Sequence, residues 1–507
     1  MQVRMKKSVV LVTVLALVLL GTTGGAMAKK VLTYGQAAEV AGLSPILTND
    51  SASSAAMGQM YETLFTRNPK TNEIEPRLAV SYETPDDLTW VIKLRQGVKF
   101  HDGTDFNAAA VKFTFDRLVD PEVAAPRASL LASVASVEVQ DEYTLVIKTH
   151  TPDGLFLANL THDNSAIISP AAVKKYGNLM KNPVGTGPFK FKNMVSGDSL
   201  TMVRFDDYWR GPAKIDEIVF RVIPEAATRV AMLETGEVDF IDSIPPEQLP
   251  RLEFNPDIKV VKSPGTPLRY VSVNFDKEPF DNLLVRQAIA HAVNTDDIVS
   301  TMDGLGIKSA GIIGPQVFGY KPEIEKAGYP YDPAKGKELL AEAGFPNGFK
   351  TVIWTTNASD NYVRDAQILQ AQVKKIGIDA EIKVLDWAAY LTATRNGEQD
   401  MFLLGWSNLT QDGGGLAFPN LHSSNAGSSN RTFYRNAEAD RLIYLTMNTT
   451  DQEKRLELLH AVNEYLVKDV AWVPLWHQVN VIAMGANIVG LDMSPTADWE
   501  LYPVDIK

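Results

Sequence analysis

The chain has 507 residues, of which 45% are hydrophobic and 22% charged, a globular composition that argues against disorder, collagen and a polytopic membrane protein. Its 49 basic and 61 acidic side chains leave a formal charge of −12, a poor match to nucleic acid or anionic lipid, both polyanions. The absence of cysteine excludes a cysteine nucleophile, disulfides, thiolate-bound zinc, protein-held iron–sulfur clusters and a lipid anchor on an N-terminal cysteine.

Residues 1–28 read as a cleavable signal peptide. Arg4, Lys6 and Lys7 supply the positive start, Val9 to Leu20 the apolar run, and Ala26-Met27-Ala28 the small-residue cleavage site. The apolar run is short of the ~20 residues that a spanning helix needs. The expected mature chain starts at Lys29, and no later stretch is apolar enough to cross a membrane. Further along, alternation marks strands. Trp90, Ile92 and Leu94 share one side of TWVIKL, and Val137/Val139 with Tyr143/Leu145/Ile147 flank a hairpin at Gln140-Asp141-Glu142. A helix carrying Val111, Phe115 and Leu118 follows a cap at Asn107. From Tyr362, apolar residues recur at Ala366, Leu369, Val373 and Ile376. Gly377 closes this helix, and Ile378, Ala380, Ile382 and Val384 alternate as a strand. Thr450 and Glu453 read as a capping box before a helix with Leu456, Leu459, Val462 and Leu466 on its core face. Helices and strands interleave from Asn274 to Trp476, so this region is expected to form an α/β lobe.

The chemistry search nominates no catalytic constellation. No G-x-S-x-G elbow, Walker A motif or H-E-x-x-H motif occurs. The histidines at 101, 150, 162, 291, 422, 460 and 477 form no H-x-H or H-x-x-x-H pair, so neither a metal site nor a cofactor is expected. Gly185-Thr186-Gly187-Pro188 lacks the third glycine of a dinucleotide fingerprint, because Lys190 stands there; it reads as a tight turn. The pairs Asp86-Asp87 and Asp206-Asp207 read as solvated turns.

Four stretches carry a resemblance. They are PRLAVSYETPDDLTWVIKLRQGVKFHDGTDFNAAAVKFTFDRL from Pro76, NPVGTGPFKF from Asn182 with the segment running on to Phe240, VNFDKEPFDNLLVRQAIAHAVNTDDIV from Val273, and the stretch from QVKKIGIDAEI through DMFLLGW to NRTFYRNAEADRL. Together, in order, they resemble the bacterial extracellular solute-binding proteins of the peptide/nickel family, family 5. GWSNLTQDGGGL followed by SNRTFY is most similar to the branch named for glutathione and short peptides. The resemblance implies an α/β fold, a two-lobed periplasmic-binding-protein clamp with an extra inserted domain. Domain I would span 29–62, 180–268 and 477–507, the inserted domain II 63–179, and domain III 269–476. Hinge crossings would fall near 268–273 and 475–480. It also implies a monomer without enzymatic activity, free in the periplasm rather than lipid-anchored. Such a protein would take a small peptide ligand to an ABC permease and ATPase complex, with no nucleic acid partner. A nickel-chelate or haem receptor on the same fold is the alternative; a secreted hydrolase and a chaperone-like role stand further off.

Ligand candidates gather around Gly405-Trp406-Ser407 and the loop to Asp412. In related peptide receptors an Asp three places after the Trp pairs with the peptide ammonium; here Leu409 holds that place. Asp412 is the nearest acid, read either as the replacement anchor or as a loop cap bonded to glycine amides. Trp406 and Trp387 are candidate ligand walls, with core packing the other reading. Arg431 offers a fork for a ligand carboxylate, or a surface pair with Glu438 or Asp440. His477 stands beside an expected hinge crossing. Tyr61 and Glu62 are lesser candidates, and Arg95, Gly97, His101, Asp102 and Gly103 are expected to build a turn.

Overall fold

The computed structural model describes residues 29–507; the expected signal peptide lies outside the described residues. Strand β1 (Val31–Gln36) buries Leu32 and Tyr34. A helix over Ser51–Met60 leads into an antiparallel unit. This unit holds the short hairpin β2 (Phe65–Arg67) and β3 (Ile74–Pro76). It continues with β4 (Ala79–Asp86), β5 (Thr89–Leu94), β6 (Val134–Asp141) and β7 (Thr144–Thr149), paired in the order β4-β5-β7-β6. Period-two alternation buries Trp90, Ile92 and Leu94 on β5 and Leu145 and Ile147 on β7. The helix Ala108–Val119 adds Val111, Phe115 and Leu118 to the same core, and the Asn107 side chain accepts from Ala110 N at 3.1 Å. Val139, expected inward, is 43% exposed; the β6–β7 ladder slips between Val139 and Asp141.

The remaining strands are β8 (Phe189–Val195), β9 (Ser199–Arg204), β10 (Glu217–Val222), β11 (Phe240–Ile241) and the 16-residue β12 (Ile258–Val273). After them come β13 (Gly306–Lys308), β14 (Lys350–Thr356), β15 (Asp379–Leu385), β16 (Met401–Trp406) and β17 (Val473–Gly485). They form one sheet in the order β15-β14-β16-β12-β17-β11-β1-β10-β9-β8, with β13 added on β17. Two long strands thus run through both halves. Ile258–Pro264 pairs with Val479–Gly485 in one half, and Leu268–Val271 pairs with Val473–His477 in the other. The ladder breaks between Pro264 and Leu268, where Gly265, Thr266 and Pro267 carry the chain across.

Parallel strands flank this crossing on both sides. β1 lies between β10 and β11, and β14 lies between β15 and β16. Their registers against β12 and β17 aim the C-terminal ends of both sets at the crossing. In open α/β sheets this is the edge that gathers ligands.

The helix Asp360–Lys374 buries Tyr362, Ala366, Leu369 and Val373, and Gly377 takes φ 95°. Val384, at the outer end of the expected alternation, is 44% exposed because β15 is the sheet's edge strand. The capping box at Thr450 is displaced by one residue. Asp451 caps the helix Gln452–Lys468 by accepting from Lys454 N at 3.0 Å, while Thr450 Oγ1 donates to Asp87 at 3.3 Å. Leu459, Val462 and Leu466 are buried as expected, but Leu456 is half-buried and the neighbouring Arg455 is fully buried.

Candidate functional site

The loop after β16 carries most of the ligand candidates. Its acid, Asp412, is 2% exposed and caps the helix Gly413–Leu421, with Oδ1 accepting from Gly414 N at 2.8 Å. Arg455 donates to both carboxylate oxygens, Nη1 to Oδ2 and Nη2 to Oδ1, each at 2.6 Å. Arg455 Nε donates to Thr446 O at 2.8 Å. The Asp412 carboxylate is therefore engaged by a fork and a helix amide inside the lobe. The glycines behind it make room for the protein itself. A Cβ on Gly414 would stand 2.8 Å from Arg455 Nη2, and one on Gly413 2.6 Å from Ile313 Cδ1.

Other candidates separate in the same way. Arg431 Nη1 donates to Thr394 Oγ1 at 2.8 Å and to Leu391 O, at the end of the helix Trp387–Arg395, rather than pairing with Glu438 or Asp440. Glu438 instead takes Arg441, and Asp440 takes Ser423 N at 2.8 Å. His477 is 1% exposed, and neither ring nitrogen has a hydrogen-bond partner. Its ring lies against Gly314, where a Cβ would sit 2.0 Å from Nε2. Burial holds this imidazole down to about 4. Trp406 is partly buried against the core of its lobe, whereas Ser407, Leu409 and Trp387 are exposed. Tyr61 donates from its hydroxyl to Leu43 O at 3.0 Å. Glu62 accepts from Arg77 at 2.9 Å, from Thr186 and Tyr208 at 2.8 Å each, and from Trp209 Nε1. That network ties the segment after β3 to the residues that flank β8 and β9.

A residue missed in the sequence stands beside two that were named. Arg269 lies on β12 just past the crossing, opposite Gly405 on β16 and Trp476 on β17. Its guanidinium rests 3.3 Å from the Tyr362 ring centroid and 5.2 Å from that of Trp476. Nε and Nη1 are buried without a hydrogen-bond partner. A Cβ on Gly405 would stand 3.0 Å from Leu268 O and 3.6 Å from both Arg269 Nη1 and the Tyr362 hydroxyl, so the glycine's close approach is to the backbone of β12. Trp387, 43% exposed, extends the aromatic surface, 6.3 Å from Tyr362 between centroids. Asp365 accepts from Trp476 Nε1 at 3.1 Å, while its Oδ1 is unpartnered, 3.7 Å from Arg364 Nη2. Burial lowers Arg269 to about 10 and raises Asp365. The available sequence signal was one charge inside the stretch LRYVSV.

The β2–β3 hairpin meets the far end of the same loop. Arg67 Nη2 donates to Thr410 O at 2.8 Å, and Asn72 Nδ2 donates to Gln316 O at 3.1 Å and to Gln411 O at 3.4 Å. The loop is thus fixed at Asp412 and braced at Thr410, with Ser407 and Leu409 left exposed between Trp406 and the brace.

Comparison with known proteins agrees with this architecture. The model "Bacterial extracellular solute-binding proteins, family 5 Middle" matches residues 73–428. The glutathione-binding protein GsiB of Escherichia coli K12 is 35% identical over 480 residues, 92% of each chain. Haemophilus parasuis HbpA2 superposes with a TM-score of 0.88 at 29% identity, covering 94% of this chain and 100% of that one. The ABC transporter-associated periplasmic binding protein DppA of Helicobacter pylori, in complex with the peptide STSA, superposes at 0.73 with 32% identity, covering 94% and 98%. No helix among the described residues is long and apolar enough to cross a membrane. With an α/β periplasmic-binding-protein fold and relatives matched over 92% or more of their own length, the chain belongs to the bacterial extracellular solute-binding proteins of family 5, a family of binding proteins rather than enzymes.

Proposed function

We propose that this chain is the periplasmic capture component of an ABC importer, taking short peptides, glutathione among them, between two lobes and delivering them to a membrane permease. The lobes are 29–62 with 180–268 and 477–507 on one side and 269–476 on the other, with 63–179 inserted. The observation that carries the reading is the crossing itself. Two strands join the halves, and both parallel-strand sets end at that crossing, so the ligand-gathering edges of the halves share one cleft. Hinge closure about two such strands is a common response to ligand. The relatives support the ligand class: one is named for glutathione and another holds a four-residue peptide. Within the cleft, Trp387, Gly405 and Ser407 remain candidate contacts. Asp412 and Arg431 act behind them, holding the loop and the helix, and His477 is buried beside the crossing.

Native mass spectrometry of protein purified without denaturation tests the reading. Glutathione or the peptide Ser-Thr-Ser-Ala should give a one-to-one adduct. The absence of any adduct across a panel of di- to pentapeptides would count against peptide capture. Export carries its own check: the secreted protein should have the intact mass of a chain beginning at Lys29.

A further inference from the structure

We propose that the β2–β3 hairpin is a second clasp of the clamp: Arg67 and Asn72 are positioning residues that hold the ligand loop only while the two halves are closed, so release of a captured solute requires their bonds to break. The inference deepens the capture reading and rests on it for what is held; the clasp itself rests on the contacts.

The apolar cores show which parts can separate. Trp90 and Ile147 of the β4-β5-β7-β6 sheet share one core with Leu32 of β1 and Phe220 of β10. Ile353 and Leu403 of β14 and β16 belong to a second core, and Trp354 and Leu404 of the same strands to a third. Among the described residues the first core takes none between Val261 and Ile482, and the other two take none before Leu268. The antiparallel sheet is therefore built into the half that carries β1 and shares no core with the half that carries β14 and β16. An interface without a shared core is one that can open.

Hydrogen bonds join these two parts. Arg67 Nη1 donates to Asn72 O at 2.8 Å, which stiffens the hairpin, while Nη2 reaches across to Thr410 O at 2.8 Å. Asn72, at φ 60°, donates across to Gln316 O and Gln411 O. Gly154 N donates to Met447 O at 2.7 Å, at the end of the helix Ala437–Met447. In each case the donor stands on the antiparallel side and the acceptor is a main-chain carbonyl of the other half. Water replaces such bonds when the halves part, so each adds a modest bias towards closure. Their position ties that bias to the ligand. The loop leaves Trp406 opposite Leu268 at the crossing and meets Arg67 at Thr410, with Ser407 and Leu409 exposed between. One end of the loop thus starts at the hinge and the other is held by the clasp. Gly154 permits the second contact, since a Cβ there would stand 2.5 Å from both Arg455 Nε and Thr446 O.

Three variants test the clasp: Arg67→Met, Asn72→Gly, which keeps the left-handed backbone open to the residue, and Gly154→Leu, a wedge in the contact. The readouts are hydrogen exchange at the Gly154 amide, the ligand-free radius of gyration, stopped-flow release of glutathione and Ser-Thr-Ser-Ala, and urea unfolding. Arg67→Met and Asn72→Gly should speed both exchange at Gly154 and peptide release about tenfold, with association little changed. Arg67→Lys should restore part of the loss. Gly154→Leu should enlarge the radius of gyration and speed release without lowering the urea midpoint, because the halves part around it. A wedge that lowers the midpoint and leaves the radius and release unchanged marks a fixed interface and overturns the clasp. Unchanged exchange in both Arg67→Met and Asn72→Gly overturns it too. If Arg67→Met does not fold, Asn72→Gly and Gly154→Leu decide. If neither peptide binds the wild type, peptide capture loses its support, and exchange with the radius of gyration decides the clasp alone. Peptide binding with exchange and release unchanged in the variants removes the clasp and leaves capture standing.

Discussion

Arg455 turns a guanidinium into the core face of its helix and closes on Asp412, 43 residues earlier. Side-chain exposure of the pair is 0% and 3%, so solvent screens it little. Removing one partner of a buried pair strands the other charge, which costs about 3–5 kcal/mol. Asp412→Ala should lose about that much in urea unfolding, and Asp412→Asn most of it, because the amide lacks the charge and offers the fork one oxygen. The double change Asp412→Leu with Arg455→Met should cost less than either single change. In peptide titrations, N-acetylation should weaken folded Asp412→Asn and the wild type by the same factor; a smaller penalty in the variant would restore Asp412 as the ammonium anchor. The sequence displayed Asp412 and its glycines plainly and left two readings open. The choice between them lay in a contact with a residue in another helix, and no local spacing encodes that contact. Arg269 escaped for a related reason: its unpaired donors exist only once β12, β16 and the helix Asp360–Lys374 are assembled.

At the scale of elements, two of the stretches that carry the resemblance touch each other. His101 Nε2 bonds Gly187 O at 2.9 Å, and His101 N donates to Gly185 O at 2.9 Å. The two glycines serve close approach rather than an unusual backbone angle. A Cβ on Gly187 would lie 2.6 Å from Met60 C, and one on Gly185 2.2 Å from Met60 O. Backbone cannot yield as a flexible side chain does, so Gly187→Ala should cost about 1–3 kcal/mol as overpacking, read from the urea midpoint. A cost near zero would mean that the turn and the end of the helix Ser51–Met60 move apart freely. Asp451→Ala should remove one helix cap and cost about 1 kcal/mol in the same experiment. Elements with strong periods were legible: the strand of Trp90, Ile92 and Leu94, and the helices with Val111 and Leu369 in their cores. Periodicity failed where a strand outruns its cover, at Val139 and Val384, and where two adjacent acceptors competed for one cap, at Thr450 and Asp451.

For the molecule as a whole, two families of buried groups oppose each other with pH. Burial holds His101, His162 and His477 down to about 4, so each stays neutral in the fold where the unfolded chain would protonate near 6.5. The unfolded chain binds more protons across that window, so stability is full above about 6.5 and falls as pH drops towards 4. Asp163 works in the other direction. Burial, aided by the charge of Asp498, pushes it up to about 8. Its folded form keeps a proton that the unfolded form has lost, so its contribution falls as pH rises from about 4 to about 8. Thermal midpoints measured from pH 4 to 8 should therefore fall on the acid side, and Asp163→Asn should flatten the decline towards pH 8. A midpoint independent of pH over this range would contradict both assignments.

The central claim is capture of a short peptide between lobes joined by β12 and β17. Calorimetric titration of the mature protein with glutathione and di- to pentapeptides addresses it most directly. The account predicts one site per chain, saturable heat for short peptides, and at 100 Kd a stabilisation of about 2.7 kcal/mol in the thermal transition. No heat and no thermal shift from any peptide in the panel would contradict it.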